Sequence, residues 1–483
     1  MKETSNAIRT LFGMLLISTI SHAQISFHDS GQNLGHLTSS RVALGDIDGD
    51  GDLDAVVSNW NHQIRQESRI WFNDGYGIFT EGAQTLPPCQ YNVSLGDLDG
   101  DGDLDVWMSG WVWINDGSGF FSQSGSIYFG GYSRLGDLDS DGDLDVFAAY
   151  GDGNMNRVYL NDGTGQFTHN GQTILQKSGN TVALGDLDGD GDLDAYVVSG
   201  ANFQNPEGEP DKVWLNDGTG TFSDTEQELG HYQAGSVVLG DVDGDGDLDA
   251  LVANWHHLLH TSPQPNELWL NDGNGYFTMS GQDVGESMVS DVALDDLDSD
   301  GDLDAFIANG RDTNTGKANE VRMNNGNGQF EDIGLRLGHS PSLGVALGDV
   351  DGDGDLDAFI ANCGIFDGGH PNKVWLNDLY DTGVEDDLLV PERAELGQNY
   401  PNPFNRSTRI GYSVATPAWV RLAVFDVTGR KIITLVNQFQ ESGNYSVRYD
   451  AFDDNGNSIS SGIYIYQMFI GETNIQKRMV LLQ

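Results

Sequence analysis

The chain has 483 residues, with 23 Lys+Arg against 74 Asp+Glu, a formal net charge of −51 and 2 Cys. That length accommodates two or more domains, and so acidic a chain excludes a nucleic-acid partner, which needs basic groups to meet phosphates. The charge is uneven: residues 24–392 carry 12 basic and 66 acidic side chains, whereas residues 393–483 carry 9 and 7.

Residues 1–23 read as a secretory signal peptide. Lys2 and Arg9 give a positive start, Leu11–Ile20 is a short apolar run, and Ser21-His22-Ala23 offers a small-x-small cleavage site near Ala23. The run is too short for a transmembrane helix, and no later segment qualifies. The expected location is therefore secreted or surface-attached, with no transmembrane segment.

The next segment, ISFHDSGQNLG (Ile25–Gly35), has the form of an outer β-strand. It matches FTHNGQTIL (Phe167–Leu175) and FTMSGQDVG (Phe277–Gly285) further along the chain.

GDIDGDGDLDA follows at Gly45–Ala55 and recurs with starts at Asp97, Asp137, Asp186, Asp241, Asp296 and Asp349, a spacing of 40–55 residues. Periods of this size mark propellers or arrays. Each copy is also a ligand set. The seven sets are Asp46, Asp48, Asp50, Asp52 and Asp54; Asp97, Asp99, Asp101, Asp103 and Asp105; Asp137, Asp139, Asp141, Asp143 and Asp145; Asp186, Asp188, Asp190, Asp192 and Asp194; Asp241, Asp243, Asp245, Asp247 and Asp249; Asp296, Asp298, Asp300, Asp302 and Asp304; and Asp349, Asp351, Asp353, Asp355 and Asp357. Side chains at loop positions 1, 3, 5 and 9 can turn to one centre, with a backbone carbonyl supplied at position 7 by Asp52, Asp103, Asp143, Asp192, Asp247, Asp302 and Asp355. Hard oxygen donors without Cys or His favour calcium or magnesium, and a flexible many-ligand loop favours calcium. Up to seven Ca²⁺ are expected. The order is that of the first part of an EF-hand loop, but a β-strand follows where the position-12 Glu would stand. Ser140 and Ser299 replace the glycine at position 4, and Asp295 replaces the glycine before the loop, none of which removes a carboxylate.

After each loop comes an apolar run such as AVVSN, then two apolar stretches joined by an Asn-Asp-Gly turn, as in Arg69–Phe79, Val213–Phe222 and Leu268–Phe277. Such turns need residues that tolerate φ > 0. Each repeat thus reads as four antiparallel strands, and seven such sheets around an axis predict a seven-bladed β-propeller over residues 24–379. The seventh repeat, at Val374–Gly383, lacks the Gly-x-Gly-x-Phe that begins a fourth strand. The strand at 25–35 is expected to close blade 7; a ragged last blade is the alternative. Cys89 and Cys363 fall in repeats not expected to touch, so two buried thiols are expected.

The loops and strand order resemble the FG-GAP/VCBS repeat family, the propeller type of integrin α subunits, over about residues 25–380. The resemblance implies calcium at Asp46, Asp48, Asp50, Asp54 and their counterparts. The FG and GAP words themselves are replaced here by LGD and NDGxGxF.

An acidic linker at 380–392 leads to a tail at 393–483 of alternating strands and Gly turns, the pattern of a small immunoglobulin-like β-sandwich. The tail resembles the C-terminal sorting domain of the type IX secretion system. The residues that carry the likeness are Tyr400-Pro401-Asn402-Pro403-Phe404, Val427-Thr428-Gly429-Arg430 and Lys477-Arg478-Met479-Val480-Leu481-Leu482. The resemblance implies the secretion machinery as a partner, with removal of the tail or surface attachment. A plain accessory module is the other reading.

In a propeller the metal loops and Asn-Asp-Gly turns share one face. The opposite face collects Trp60, His62, Trp111, Trp255 and His256, with His36, His231 and His339 at one equivalent position expected to approach the central funnel. Exposed Trp with Asn and His suits a sugar ring, by stacking on one side and directed hydrogen bonds on the other. Blade-edge packing with turn-capping His, or a three-His metal site, are the alternatives. Trp71, Trp113, Trp214, Trp269 and Trp375 are expected to pack between blades. No nucleophile elbow, HExxH or phosphate loop occurs, so no catalytic residue is assigned. The expected function is calcium-dependent binding or adhesion to a glycan or protein; a lyase-like enzyme and a structural surface protein are the rivals.

Overall fold

The computed structural model describes residues 24–380 and 393–481, apart from 62–64, 128–130, 151–154, 178, 200–208, 231–232, 256–263, 283, 286–288, 313–314 and 365–368, and, in the tail, 398, 400–401, 403, 405–407, 441–442, 450, 453–458 and 472. The expected signal at 1–23, linker residues 381–392, His62, His231, His256, Tyr400, Pro401, Pro403 and Leu482 therefore lie outside the described residues. The chain divides into two compact units, one ending at Asp381 and the other beginning at Thr382.

The first unit is a seven-bladed β-propeller built from seven four-stranded antiparallel sheets. In the first, Ser39–Gly45 is innermost, followed outward by Asp54–Asn59, Ser68–Asn73 and Phe79–Leu86. The innermost strands of the others are Val93–Gly96, Gly131–Gly136, Gly179–Gly185, Ala234–Gly240, Val289–Asp295 and Ser342–Gly348. Each packs on its neighbours, and Ser342–Gly348 packs on Ser39–Gly45. Second strands such as Asp54–Asn59, Asp194–Ser199 and Asp304–Asn309 are buried along their whole length. They are covered on both faces by adjacent blades, so they read as continuous apolar runs instead of alternating ones.

The fourth strand of the seventh sheet is Gln24–Asp29, paired antiparallel with Lys373–Tyr380. Its register repeats that of the complete blades. Phe27 stands opposite Asn377, as Phe79 stands opposite Asn73 and Phe222 opposite Asn216. Each such Phe meets an aromatic ring of the preceding blade edge-on. Phe79–Phe359, Phe222–Phe147 and Phe277–Tyr196 lie 5.1–5.2 Å apart, and Phe27–Phe306 lies 5.9 Å apart. The strand is shorter than the segment at 25–35; the chain then leaves the sheet and returns in a single bridge, Leu34 to Asn372.

The third-strand tryptophans pack across blade boundaries. Trp71 lies with Phe359 and Val374 of blade 7, Trp214 with Phe147 and Val158 of blade 3, and Trp269 with Tyr196 and Val213 of blade 4. Neither cysteine is in a disulfide, and both are buried.

The second unit is a β-sandwich. A three-stranded sheet of Glu395–Leu396, Thr408–Val414 and Gly443–Tyr449 faces a four-stranded sheet of Lys431–Gln440, Ala418–Asp426, Gly462–Ile470 and Thr473–Leu481. Ile410 and Tyr412 from one sheet and Leu422, Tyr466 and Met468 from the other share its core with Phe404. Phe404 is anchored by its N–H to the Val480 carbonyl at 2.9 Å, and Asn402 Oδ1 accepts from Val480 N–H at 2.9 Å. In the Val427–Arg430 turn, Asp426 Oδ1 accepts from the N–H groups of Thr428 and Arg430 at 2.9 and 3.0 Å. No helix among the described residues is long and apolar enough to cross a membrane.

Candidate metal centres and axial pocket

The bend of each acidic loop is fixed at position 6. Gly51, Gly102, Gly142, Gly191, Gly246, Gly301 and Gly354 have φ of 95–98°, a region that a side chain disfavours. Each donates its N–H to the carboxylate at position 1, as in Gly51 to Asp46 Oδ2 at 3.0 Å and Gly191 to Asp186 Oδ2 at 3.1 Å. Ser140 and Ser299 hold position 4 with φ of 61° and 58°, so the loop shape survives the loss of that glycine.

The fold thereby gathers carboxylates. Ligand oxygens of Asp46, Asp48 and Asp50 lie within 4.8 Å of one another, as do those of Asp97, Asp99 and Asp101, of Asp137, Asp139 and Asp145, of Asp186, Asp188 and Asp194, and of Asp241, Asp243 and Asp245. The Oδ1 atoms of Asp46, Asp48, Asp99 and Asp139 are buried without a hydrogen-bond partner. Buried polar atoms rarely go unmet, and an oxygen-only donor set suits a hard cation. The residues present therefore fit a metal at these loops.

Position 9 does more than the sequence indicated. Asp54 Oδ2 accepts from Ile47 N–H at 3.2 Å, and Oδ1 accepts from Asn73 N–H at 2.8 Å, tying the loop to the end of the third strand. The same pair of bonds recurs in every blade, for instance Asp105 with Leu98 and Asn115, and Asp357 with Val350 and Asn377. Burial pushes these carboxyls up, to about 7 for Asp54, Asp194 and Asp304, about 6 for Asp105, Asp145 and Asp249, and about 8 for Asp357. The two backbone bonds pull the other way without cancelling it. A carboxyl whose folded pKa is raised contributes relative stability that is complete below its unfolded value near 3.8 and lost as pH rises through the folded value. Metal-free protein is thus expected to melt at a higher temperature at pH 5 than at pH 8, and saturating metal to remove or reverse that trend. Melting curves in chelator at the two pH values check this; a metal-free melting temperature that rises toward pH 8 contradicts it.

The Asn at or near the end of the third strand of each blade, which in five blades opens an Asn-Asp-Gly turn, is a second feature that turn chemistry concealed. Asn115 Nδ2 donates to the Ile47 carbonyl of the preceding loop at 2.7 Å, Asn216 to Leu138 at 2.8 Å and Asn377 to Leu297 at 3.0 Å. Asn161, Asn271 and Asn324 do the same to Leu98, Leu187 and Val242, and Asn73 closes the circle on Val350 of blade 7 at 2.7 Å. A glutamine clamp runs alongside. Gln84 brackets Phe121 of the next blade, and Gln172 brackets Phe222. Gln32 donates to Gly77 O at 2.5 Å and accepts from Phe79 N–H at 2.8 Å. The only sequence signal was the repetition of Asn and Gln at fixed offsets.

The opposite face surrounds the axis. Trp60 and Trp255 follow equivalent second strands and are fixed by equivalent bonds, Trp60 N–H to Thr38 O at 2.9 Å and Trp255 N–H to Gln233 O at 2.6 Å. Although blades 1 and 5 are not neighbours, both indoles line one cavity of about 220 Å³ with Arg41, Tyr132, Gln90 and Asn180. Below it lies a channel of about 490 Å³ walled by the innermost strands and containing Arg41, Arg134 and Asp291. Trp111 is 38% exposed and begins the third strand of blade 2, away from this cavity. His36 and His339 are exposed, and neither lines the channel or its mouth. The crossovers that carry them run over the third strands, with Gly35 against Trp71 and Gly338 against Trp375. Sequence reasoning missed Arg41, Arg134, Tyr132 and Asp291. The available signal for Arg41, Arg134 and Asp291 was charge on innermost strands whose equivalent positions in other blades hold uncharged residues such as Ser236, Gly344, Ala43 and Ala183.

Comparison with known families finds FG-GAP-like repeats at residues 46–108, 137–197, 198–252 and 296–360, and a secretion system C-terminal sorting domain at 398–482. Comparison with curated proteins finds no match. Among solved structures, the chain is similar to PorZ, an essential bacterial surface component of the type-IX secretion system of Porphyromonas gingivalis. The identity is 15%, the TM-score 0.38, and the match covers 90% of this chain and 58% of that one. The chain thus spans little more than half the length of PorZ. It is similar also to the α-L-arabinanase of Penicillium chrysogenum, at 12% identity and TM-score 0.40, over 74% of this chain and 100% of that one. AofleA of Arthrobotrys oligospora matches at 14% identity and TM-score 0.36, over 67% of this chain and 94% of that one.

Proposed function

Because the chain belongs to the FG-GAP-like repeat family and ends in a type IX sorting domain that marks it as secreted or cell-surface, we propose that it is a calcium-loaded propeller that binds a glycan at its axial mouth. The proposed organisation is a cleaved signal at 1–23, a propeller over 24–379, a linker at 380–392 and a sorting tail at 393–483. Calcium is the proposed occupant of all seven loops. The donors are oxygen only, each loop offers many of them, and export delivers the chain to where sites with Kd of about 10⁻⁴–10⁻³ M fill.

The observation that carries the reading is the meeting of Trp60 and Trp255 in one cavity, with Tyr132, Asn180 and Gln90 also in its lining. Aromatic faces with a few directed polar groups are what a sugar ring needs. Binding without turnover is the form proposed, since the mouth gathers indoles, amides and a guanidinium.

Truncating a stacking aromatic at a binding hot spot costs about 2 kcal/mol or more, roughly thirtyfold in affinity. Trp60→Ala and Trp255→Ala should each lower retention on the bound polysaccharide by about that factor and leave the melting transition in calcium nearly unchanged. Retention on a polysaccharide panel, with new chain ends scored in parallel, is the measurement. Normal retention by both variants would place the ligand elsewhere, and new chain ends would replace binding with an enzyme.

A further inference from the structure

The channel beneath the mouth holds an unbalanced charge. Its wall carries two guanidinium groups, Arg41 and Arg134, and one carboxylate, Asp291, inside a chain whose net charge is −51. The two arginines are not equivalent. Arg41 is spent on the protein. Its Nη1 donates to the carbonyls of Ser40, at 2.9 Å, and Leu343, its Nη2 donates to Ser290 O at 3.4 Å, and its Nε lies 3.9 Å from Asp291 Oδ2. Its guanidinium also stands over the Tyr132 ring, 5.5 Å from the centroid. Asp291 is occupied as well, since its Oδ2 accepts from Val345 N–H at 3.3 Å.

Arg134 has no such set of partners. Among the described residues its one hydrogen bond runs from Nη1 to its neighbour's carbonyl, Ser133 O, at a long 3.4 Å, and no carboxylate lies within ion-pair distance. A guanidinium presents five N–H donors in a fixed fork, so among the described residues most of the donors of this channel-lining group have no partner. Burial lowers its pKa most, the Asp291 carboxylate opposes that, and the charge of Arg41 lowers it further.

We propose that Arg134 receives the carboxylate of an acidic sugar, in two parallel N–H···O bonds, while the ring of that sugar lies against Trp60 and Trp255 at the mouth. The inference rests on the mouth being the glycan site. Arg41 lines both cavities, so the stacking surface and the channel that holds Arg134 adjoin at its side chain. Their combined size falls within the about 300–1,000 Å³ typical of small-molecule sites. The strong negative charge of the propeller elsewhere disfavours a polyanion along its surface. A single acid group at a chain end is the form that fits.

The test is titration calorimetry of the mature full-length chain in calcium. The probes are a disaccharide ending in glucuronic acid, its methyl ester and sodium sulfate. Hydrogen bonds to a charged group are worth about 1.5–3 kcal/mol, so the acid should bind roughly tenfold to a hundredfold more tightly than the ester. Arg134→Gln should bring the acid down to the level of the ester while leaving the ester unchanged. Arg134→Lys, which keeps the charge without the fork, should retain part of the preference and serves if the Gln variant does not fold. Equal binding of acid and ester, no binding of the acid at millimolar concentration, or full acid binding by Arg134→Gln each overturns the inference. Binding of sulfate without the sugar acid also overturns it, by making the channel a site for a free inorganic anion. If acid and ester bind equally and Trp60→Ala weakens both, the charge reading fails and the glycan mouth stands. If Trp60→Ala and Trp255→Ala weaken neither, the mouth itself is wrong.

Discussion

Chelation of a calcium-loaded preparation is expected to lower its melting temperature by more than about 10 °C, with magnesium restoring little of the loss. Each loop brings several carboxylates together, and in four positions the structure leaves a buried oxygen with no protein partner. A ligand that binds only the folded state stabilises it by mass action. With Kd of about 10⁻⁴–10⁻³ M and 10 mM calcium, each site would contribute roughly 1.4–2.7 kcal/mol. Seven independent sites would then supply about 10–19 kcal/mol, as much as the whole stability of an ordinary domain. Magnesium demands near-octahedral geometry and gives up its waters reluctantly, so it should substitute poorly. Calorimetry in chelator, calcium and magnesium decides the matter, and identical melting curves in all three would sink the structural role of the metal.

Deletion of residues 24–35 is expected to abolish cooperative unfolding or drive aggregation. The segment supplies the outer strand of blade 7 along Lys373–Tyr380, and Ser30 N–H adds a bond to Val374 O at 3.0 Å. It also buries Ile25, Phe27 and Leu34, pairs Asp29 with Lys373 at 2.8 Å, and sends Gln32 across to the Phe79 hairpin of blade 1. Without it, the Lys373–Tyr380 edge stands open, an invitation to pair with another chain. The single change Phe27→Ala, which removes the ring packed on Phe306, should cost about 3–5 kcal/mol. Denaturant unfolding and light scattering check both variants. A soluble deletion mutant with a sharp transition would show that the ring does not depend on this strand.

The acidic loops and the blade count were legible because both are local. An aspartate at every second position and a glycine at the bend dictate their own geometry within nine residues, whatever surrounds them. The Asn-Asp-Gly turns were legible for the same reason, yet only half of their meaning was. The amide of Asn73 reaches Val350, 277 positions away in sequence, and no local rule announces such a partner. The aspartate at position 9 was legible only as one more carboxylate of the loop; its two bonds to the loop and to the third strand depend on a register that only the assembled blade fixes.

By itself, then, the sequence determined the repeat, the strand order, the clustering of carboxylates in the loops and the sorting tail, since each depends on residue types at fixed short spacing. Tertiary structure decided what meets across the axis. Trp60 and Trp255 are 195 positions apart and belong to blades that do not touch, yet they line one cavity. His36 and His339, equivalent in sequence, stay outside it. Arg134, unremarked on its strand, lines the channel with one long hydrogen bond among the described residues. The physical reason is closure: a ring turns local position along a strand into distance from a common centre, and only the closed ring determines which side chains share that centre.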